Sequence, residues 1–197
     1  MTENERRFDP QKHEALTEPQ RWARWDPPHM LGRVGILPGQ RVLDLGCGPG
    51  FWTLPMAEMV GSQGRVWALD VSQELLDLLA ERTPPAQVHL LRGELPTINL
   101  PDDSIDLVWG AFVVHEVEPL DKLIQEIRRV LVRHGKVAVL DWRPDAETEN
   151  GPPRAHRIAS GKLIDLLGMA GFEAARLTWL NKDAYLIEAQ NSQEDLD

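Results

Sequence analysis

The chain has 197 residues, enough for one domain with a small appendage. Asp and Glu outnumber Lys and Arg by 31 to 21, a formal charge of -10, and the basic residues are scattered, which weighs against a nucleic-acid substrate. A single cysteine excludes an intrachain disulfide and a multi-cysteine metal site.

The opening residues, MTENERRFDP, lack the apolar core of a signal peptide. No apolar run approaches the roughly 20 residues that span a bilayer. The expectation is a cytoplasmic protein without a membrane span. Residues 1–30 are polar, with Pro19, Pro27, Pro28 and the pair Trp22 and Trp25. They predict a helical extension outside the core. The two tryptophans suit either a lid or a staple holding the extension to the domain. HMLGRVGIL (29–37) predicts a helix ending near Gly35.

From residue 41 the pattern becomes regular. RVLDL (41–45) predicts a strand and FWTLPMAEMV (51–60) a helix. Pro55 fits only a first helical turn, so that helix should begin near Trp52. RVWALD (65–70) predicts a strand, and 72–82 a helix with Ser72 as its N-cap. Strands follow at 88–93 and 105–112. Residues 119–131 place Leu120, Leu123, Ile124, Ile127, Val130 and Leu131 on one helical face. A strand at 136–142, a helix at 160–171 stopped by Gly171, and strands at 172–180 and 184–190 complete the domain. The last two are joined only by residues 181–183, too short for a parallel crossover. The acidic tail, 191–197, should fray.

Strands alternating with helices predict a Rossmann-like, doubly wound α/β sheet, mostly parallel, with the final strand antiparallel. The domain should run from 31 to 190. Ligands of such sheets bind at the carboxyl ends of the strands. The glycine-rich stretch Gly46-Cys47-Gly48-Pro49-Gly50 sits at such an end. Its spacing rejects the dinucleotide fingerprint, because Phe51 and Thr53 stand where a third glycine is needed. It rejects the Walker A pattern as well, since no Gly-Lys-Ser/Thr follows.

Two carboxylates accompany the turn. Asp70, at the end of the second strand, is placed to accept hydrogen bonds from both hydroxyls of a ribose, or to cap the next helix. Asp44, near the end of an apolar strand, needs a partner and could hold a cationic group directly or through water. A ligand with a ribose, a cationic amino-acid-like end and no phosphate fits. S-adenosylmethionine is such a ligand.

VLDLGCGPG, VWALDVS, LLRGELPTI, IDLVWGAFVVHEV and RRVLVRHGKVAVLDW together resemble a class I SAM-dependent methyltransferase over about residues 30–190. The resemblance is to the small-molecule branch related to menaquinone and ubiquinone methyltransferases. It implies a seven-stranded sheet with one antiparallel strand. It implies that Gly46, Gly48 and Gly50 approach the methionine and ribose portion and that Asp70 binds the ribose. Val71 would flank the adenine, with Glu94 near the adenine amino group in place of the more usual Asp. The backbone around Leu95 would meet a ring nitrogen, and Ala111 and Phe112 would lie beside the methionine part.

Methyl transfer from a sulfonium needs alignment and exclusion of water. It needs a general base only when the acceptor loses a proton. His115, in FVVHEVE, is the candidate base, or else it orients the following helix. Glu116 is read as a solvated carboxylate at the helix start. Asp141 and Trp142 are candidates for acceptor contact, Asp141 alternatively as a loop anchor. Of seven tryptophans, Trp52, Trp109 and Trp142 lie near strand ends where an apolar acceptor would sit, while Trp67 and Trp179 are read as core.

Cys47 is read as a small filler, and a lone cysteine argues against arsenic methylation. The histidines lack metal-ligand spacing, so no metal is expected. The expected function is methyl transfer to a small molecule. The alternatives are a protein or nucleic-acid methyltransferase and a non-catalytic SAM-binding module. Against the first, this sequence has no Asn-Pro-Pro-aromatic tetrad of the kind that amino-group methylators of bases and glutamines often carry after the fourth strand; WGAFVVHE stands there.

Overall fold

A computed structural model describes residues 7–148 and 151–192. Seven strands form a sheet flanked by helices. The chain divides into two compact units, one holding Phe8–Glu94 and the other running from Leu95 onward.

The first unit begins with a 3-10 segment, Pro10–Leu16, then helices α1 (Pro19–Trp25) and α2 (Pro27–Val34). Prolines open both helices, where a missing N–H leaves no bond unmade. Asp26 caps α2 by accepting from the His29 amide, and Gly35 ends it in the left-handed region. The end of the 1–30 extension is not outside the core, because Trp25, Pro27 and Met30 are buried. The next elements are β1 (Arg41–Leu45), α3 (Thr53–Val60), β2 (Arg65–Asp70), α4 (Gln73–Glu81) and β3 (Val88–Arg92). The three strands are parallel, with β2 between β1 and β3. Ser72 caps α4, as its position predicted.

The second unit contains β4 (Ile105–Ala111), α5 (Leu120–Val130), β5 (Leu131–Trp142), α6 (Ser160–Met169), β6 (Phe172–Trp179) and β7 (Ala184–Asn191). Strands β4 and β5 are parallel, and β7 runs antiparallel between β5 and β6. The short 181–183 turn is built on Asn181, whose Oδ1 accepts from the amides of Asp183 and Ala184. All five apolar residues of α5 from Leu120 to Val130 are buried, each contributing on the order of 1.5–3 kcal/mol. Asn191 ties this unit together, its Nδ2 donating to the carbonyls of Leu131 and Val132. Of the tail expected to fray, 191–197, Asn191 is instead the buried last residue of β7, and 193–197 lie outside the described residues.

Two further regions differ from what the sequence predicts. Strand β5 begins at Leu131, not 136, following α5 directly. Its register with β4 jumps between Leu131 and Lys136, so residues 132–135, between the predicted helix and strand, are a bulged part of the strand, and Leu131, expected on the helical face, begins it. Gly135 is required there, since a Cβ would meet the Val132 carbonyl oxygen at 2.8 Å. Trp179 is not core: it is 52% exposed, with the Arg143 guanidinium 4.5 Å from its ring centre. It lies on β6, whose middle residues face solvent.

Candidate functional site

The glycine turn follows β1 directly. Gly46, Gly48 and Gly50 have φ of 63°, 53° and 87°, a region that side chains with a Cβ resist. The three are not equivalent. A Cβ on Gly50 would overlap Leu79 Cδ1, so this glycine lets α4 pack against the turn. A Cβ on Gly48 would meet only Leu16 Cδ1, at 3.4 Å. The turn is held on the α4 side by Arg82, which donates to the Pro49 carbonyl at 2.8 Å. Cys47 packs with Ala68, Leu76 and Leu79, the filler its size suggested.

Asp70 joins the turn to the end of β2. Its Oδ2 accepts from the Gly48 amide at 2.8 Å and its Oδ1 from the Ser72 amide at 2.9 Å. Ser72 caps α4, so Asp70 is free of that task. Burial raises its carboxyl above the usual range, while the Ser72, Gly48 and Val71 amides pull it back. A carboxylate has about four acceptor positions, so both oxygens retain capacity for hydroxyl donors.

Asp44, 1% exposed, accepts from the Thr53 hydroxyl at 2.6 Å. Burial pushes its carboxyl up to about 7; the Thr53 bond opposes the rise and Asp70 adds to it. An acid held near neutrality in an apolar strand end is suited to a cationic group. These features fit a ligand with vicinal hydroxyls and a positive end: a carboxylate at the end of β2, a glycine with little in front of it, and a buried acid behind. Thr53 did not stand out in the sequence except as a missing glycine. Of the residues expected around an adenine, Val71 is 37% exposed, Glu94 is exposed and Leu95 half-buried.

In the second unit the residues after β4 and β5 converge. Phe112, with φ of 59°, packs on Trp142 with ring centres 4.7 Å apart. Ala111 is buried beside it in sequence. A Cβ on Gly151 would lie 2.7 Å from the Trp142 ring, so the indole is covered by backbone there. Trp52, Trp109 and Trp142 are all buried, and Trp109 has no exposed surface.

His115 lies in a 3-10 turn, Val114–Glu116, and is buried. Its Nδ1 is 2.8 Å from Asp141 Oδ1. Asp141 Oδ2 accepts from the His115 amide at 3.2 Å, and Oδ1 accepts from the Trp142 amide at 2.8 Å. Since a carboxylate only accepts, Nδ1 carries hydrogen and Nε2 is left to take a proton. Nε2 is 3.9 Å from Glu116 Oε1. Burial alone would lower the imidazole's pKa. The charge and hydrogen bond of Asp141, with Glu116, outweigh burial and an opposing Arg157, so the pKa is raised. Asp141 thus orients His115 and anchors the backbone on both sides. Beyond β5, Arg157 donates to the carbonyls of Arg143, Ala146 and Pro152.

Comparison with known proteins identifies the family. Residues 42–135 match a methyltransferase domain. The chain is 33% identical over 112 residues to a demethylmenaquinone methyltransferase from Lysinibacillus sphaericus, covering 56% of this chain and 48% of that protein. It is 34% identical to a ubiquinone/menaquinone biosynthesis C-methyltransferase from Vibrio campbellii, covering 55% and 43%. The chain therefore spans about half the length of these curated relatives. A SAM-dependent methyltransferase from Aquifex aeolicus superposes with a TM-score of 0.87 at 31% identity, over 94% of this chain and all of that one. With that full-length likeness added to the glycine turn and its two carboxylates, the chain belongs to the SAM-dependent methyltransferases, whose methyl donor is S-adenosylmethionine.

Proposed function

We propose that the protein transfers the methyl group of S-adenosylmethionine to a small-molecule acceptor that gives up a proton as it is methylated. The observation that carries the second half is the buried His115–Asp141 pair, at 2.8 Å. A methyl donor that is already cationic asks for no nucleophile from the protein. A histidine with Nδ1–H fixed on a carboxylate is instead arranged to accept a proton at Nε2.

Gly48, Asp70 and Asp44 would hold the donor, with Val71, Glu94 and Leu95 toward its adenine and Ala111 and Phe112 toward its methionine part. When bound, the donor supplies an activated methyl group, which leaves behind a neutral thioether. Asp70 orients through its remaining lone pairs, and its bonds to Gly48 and Ser72 keep it from rotating. His115 takes the acceptor's proton, and Asp141 stabilises the imidazolium that results. The formal charge of -10 weighs against RNA or DNA as the acceptor. No helix among the described residues is long and apolar enough to cross a membrane.

The relatives' substrate names make a demethylmenaquinone-type acceptor the first to test. Titration with S-adenosylmethionine and S-adenosylhomocysteine, with NAD as control, followed by transfer of labelled methyl to reduced demethylmenaquinone, checks both halves. Binding of the sulfur ligands without NAD binding is the expected result. Absence of sulfur-ligand binding at millimolar concentration would sink the donor assignment. Binding with no labelled product from any acceptor would leave a non-catalytic SAM-binding module.

A further inference from the structure

We infer that Thr53 is a positioning residue of the donor site, acting through Asp44: its hydroxyl holds the Asp44 carboxylate in one orientation and in its ionised form. The inference rests on the donor-site reading above.

Thr53 is the first residue of α3 and is fully buried. A threonine hydroxyl at a helix start commonly satisfies a helix N–H. Here the cap position is Trp52, which makes no side-chain bond to the helix, and Thr53 directs its hydroxyl back to the strand instead. The bond to Asp44 Oδ2 is 2.6 Å, the length of a charge-assisted O–H···O⁻ contact. A hydroxyl has one proton, and donating it to Asp44 favours the carboxylate over the carboxylic acid.

That matters because the surroundings of Asp44 favour the acid. Asp44 has no exposed surface to speak of, and the groups that face it electrostatically are Asp70 on β2 and Cys47 in the turn, neither of them cationic. Without Thr53, Asp44 would hold its proton to higher pH and would present a neutral group to a cationic ligand. Helix α3 is therefore more than a support for the turn. Its first side chain sets the charge state of the buried acid behind it.

The test uses the full chain with Thr53→Val, Thr53→Ser, Asp44→Asn and the Thr53→Val/Asp44→Asn double variant. The readouts are the Kd for S-adenosylhomocysteine between pH 5.5 and 8.5 and the Tm. Valine keeps the shape and removes the donor. We expect Thr53→Val to bind about tenfold or more weakly at pH 7, the range for a hydrogen bond to a charged group. The pH at which binding weakens should move upward, Thr53→Ser should restore both, and valine should add nothing further in the Asp44→Asn background. Equal affinity and an unmoved pH midpoint in a folded Thr53→Val protein would overturn the inference. So would a loss of the same size in the Asp44→Asn background. If Thr53→Val does not fold, Thr53→Ala, which also removes the hydroxyl, takes its place: weaker binding with an upward-shifted midpoint that Thr53→Ser restores supports the role, and unchanged affinity and midpoint refute it. Failure of the wild type to bind would instead count against the donor-site reading itself.

Discussion

Asp70 Oδ2 accepts a hydrogen bond from the Gly48 amide at 2.8 Å, joining the end of β2 to the middle of the glycine turn. One carboxylate therefore shapes the turn and faces the ligand expected there. Asp70→Asn keeps the size but replaces one acceptor oxygen with a donor, which cannot accept from both Gly48 and Ser72. The expected result is S-adenosylhomocysteine binding weakened by about tenfold to a hundredfold, from loss of bonds to a charged group. Calorimetric titration checks it.

Gly48 and Gly50 should fail in different ways. Gly50→Ala places a methyl group onto Leu79 at a φ of 87°, so the fold should lose about 1–3 kcal/mol from overpacking alone. Gly48→Ala meets only Leu16, at 3.4 Å, and carries the left-handed penalty of about 1–2 kcal/mol. Its methyl group would stand where a ligand approaches, so affinity should fall more than stability. Thermal melts and donor titrations on both variants separate the two effects.

The dyad predicts a pH profile. If neutral His115 accepts the acceptor's proton, kcat/KM should rise with pH through a midpoint above the ordinary histidine value of about 6.5. Asp141→Asn removes the group that raises the imidazole and should move the midpoint downward. His115→Gln should lower kcat by about a hundredfold or more while leaving donor affinity within a fewfold. The sign for stability is the reverse. A raised histidine pKa contributes stability that is complete below its unfolded value and lost as pH rises through its folded value. The rate and melting profiles should therefore slope in opposite directions over that window.

Asp44 is a case of function opposing stability. Its carboxyl is pushed up to about 7, so in the ligand-free protein its contribution is present at low pH and lost as pH rises toward and past neutrality. Asp44→Asn removes that buried charge. Above pH 7 it should melt higher than wild type, by about 2–4 °C for each kcal/mol of burial penalty relieved, while binding the donor less well. A variant that melts lower at pH 8 would show that the carboxylate is better solvated than its burial suggests.

Much of the framework was legible in the chain itself. Helix α5 shows its buried face as a 3.6-residue period, and the turn 181–183 is too short for anything but an antiparallel return. The glycine turn was legible because left-handed backbone leaves few alternatives to glycine, as the φ values at 46, 48 and 50 show. Asp70 was legible because it ends a strand at a set distance from that turn. These are local signals, carried by periodicity or by backbone sterics. The tertiary structure decided what depends on separate segments meeting. It showed that Gly50 accommodates Leu79, that Thr53 bonds to Asp44, that Trp25 is buried, and that the Arg143 guanidinium lies over an exposed Trp179. It also paired His115 with Asp141 across 26 residues of chain, at 2.8 Å. No local pattern encodes that pairing, because it depends on β4 and β5 lying side by side and releasing their following residues at the same end.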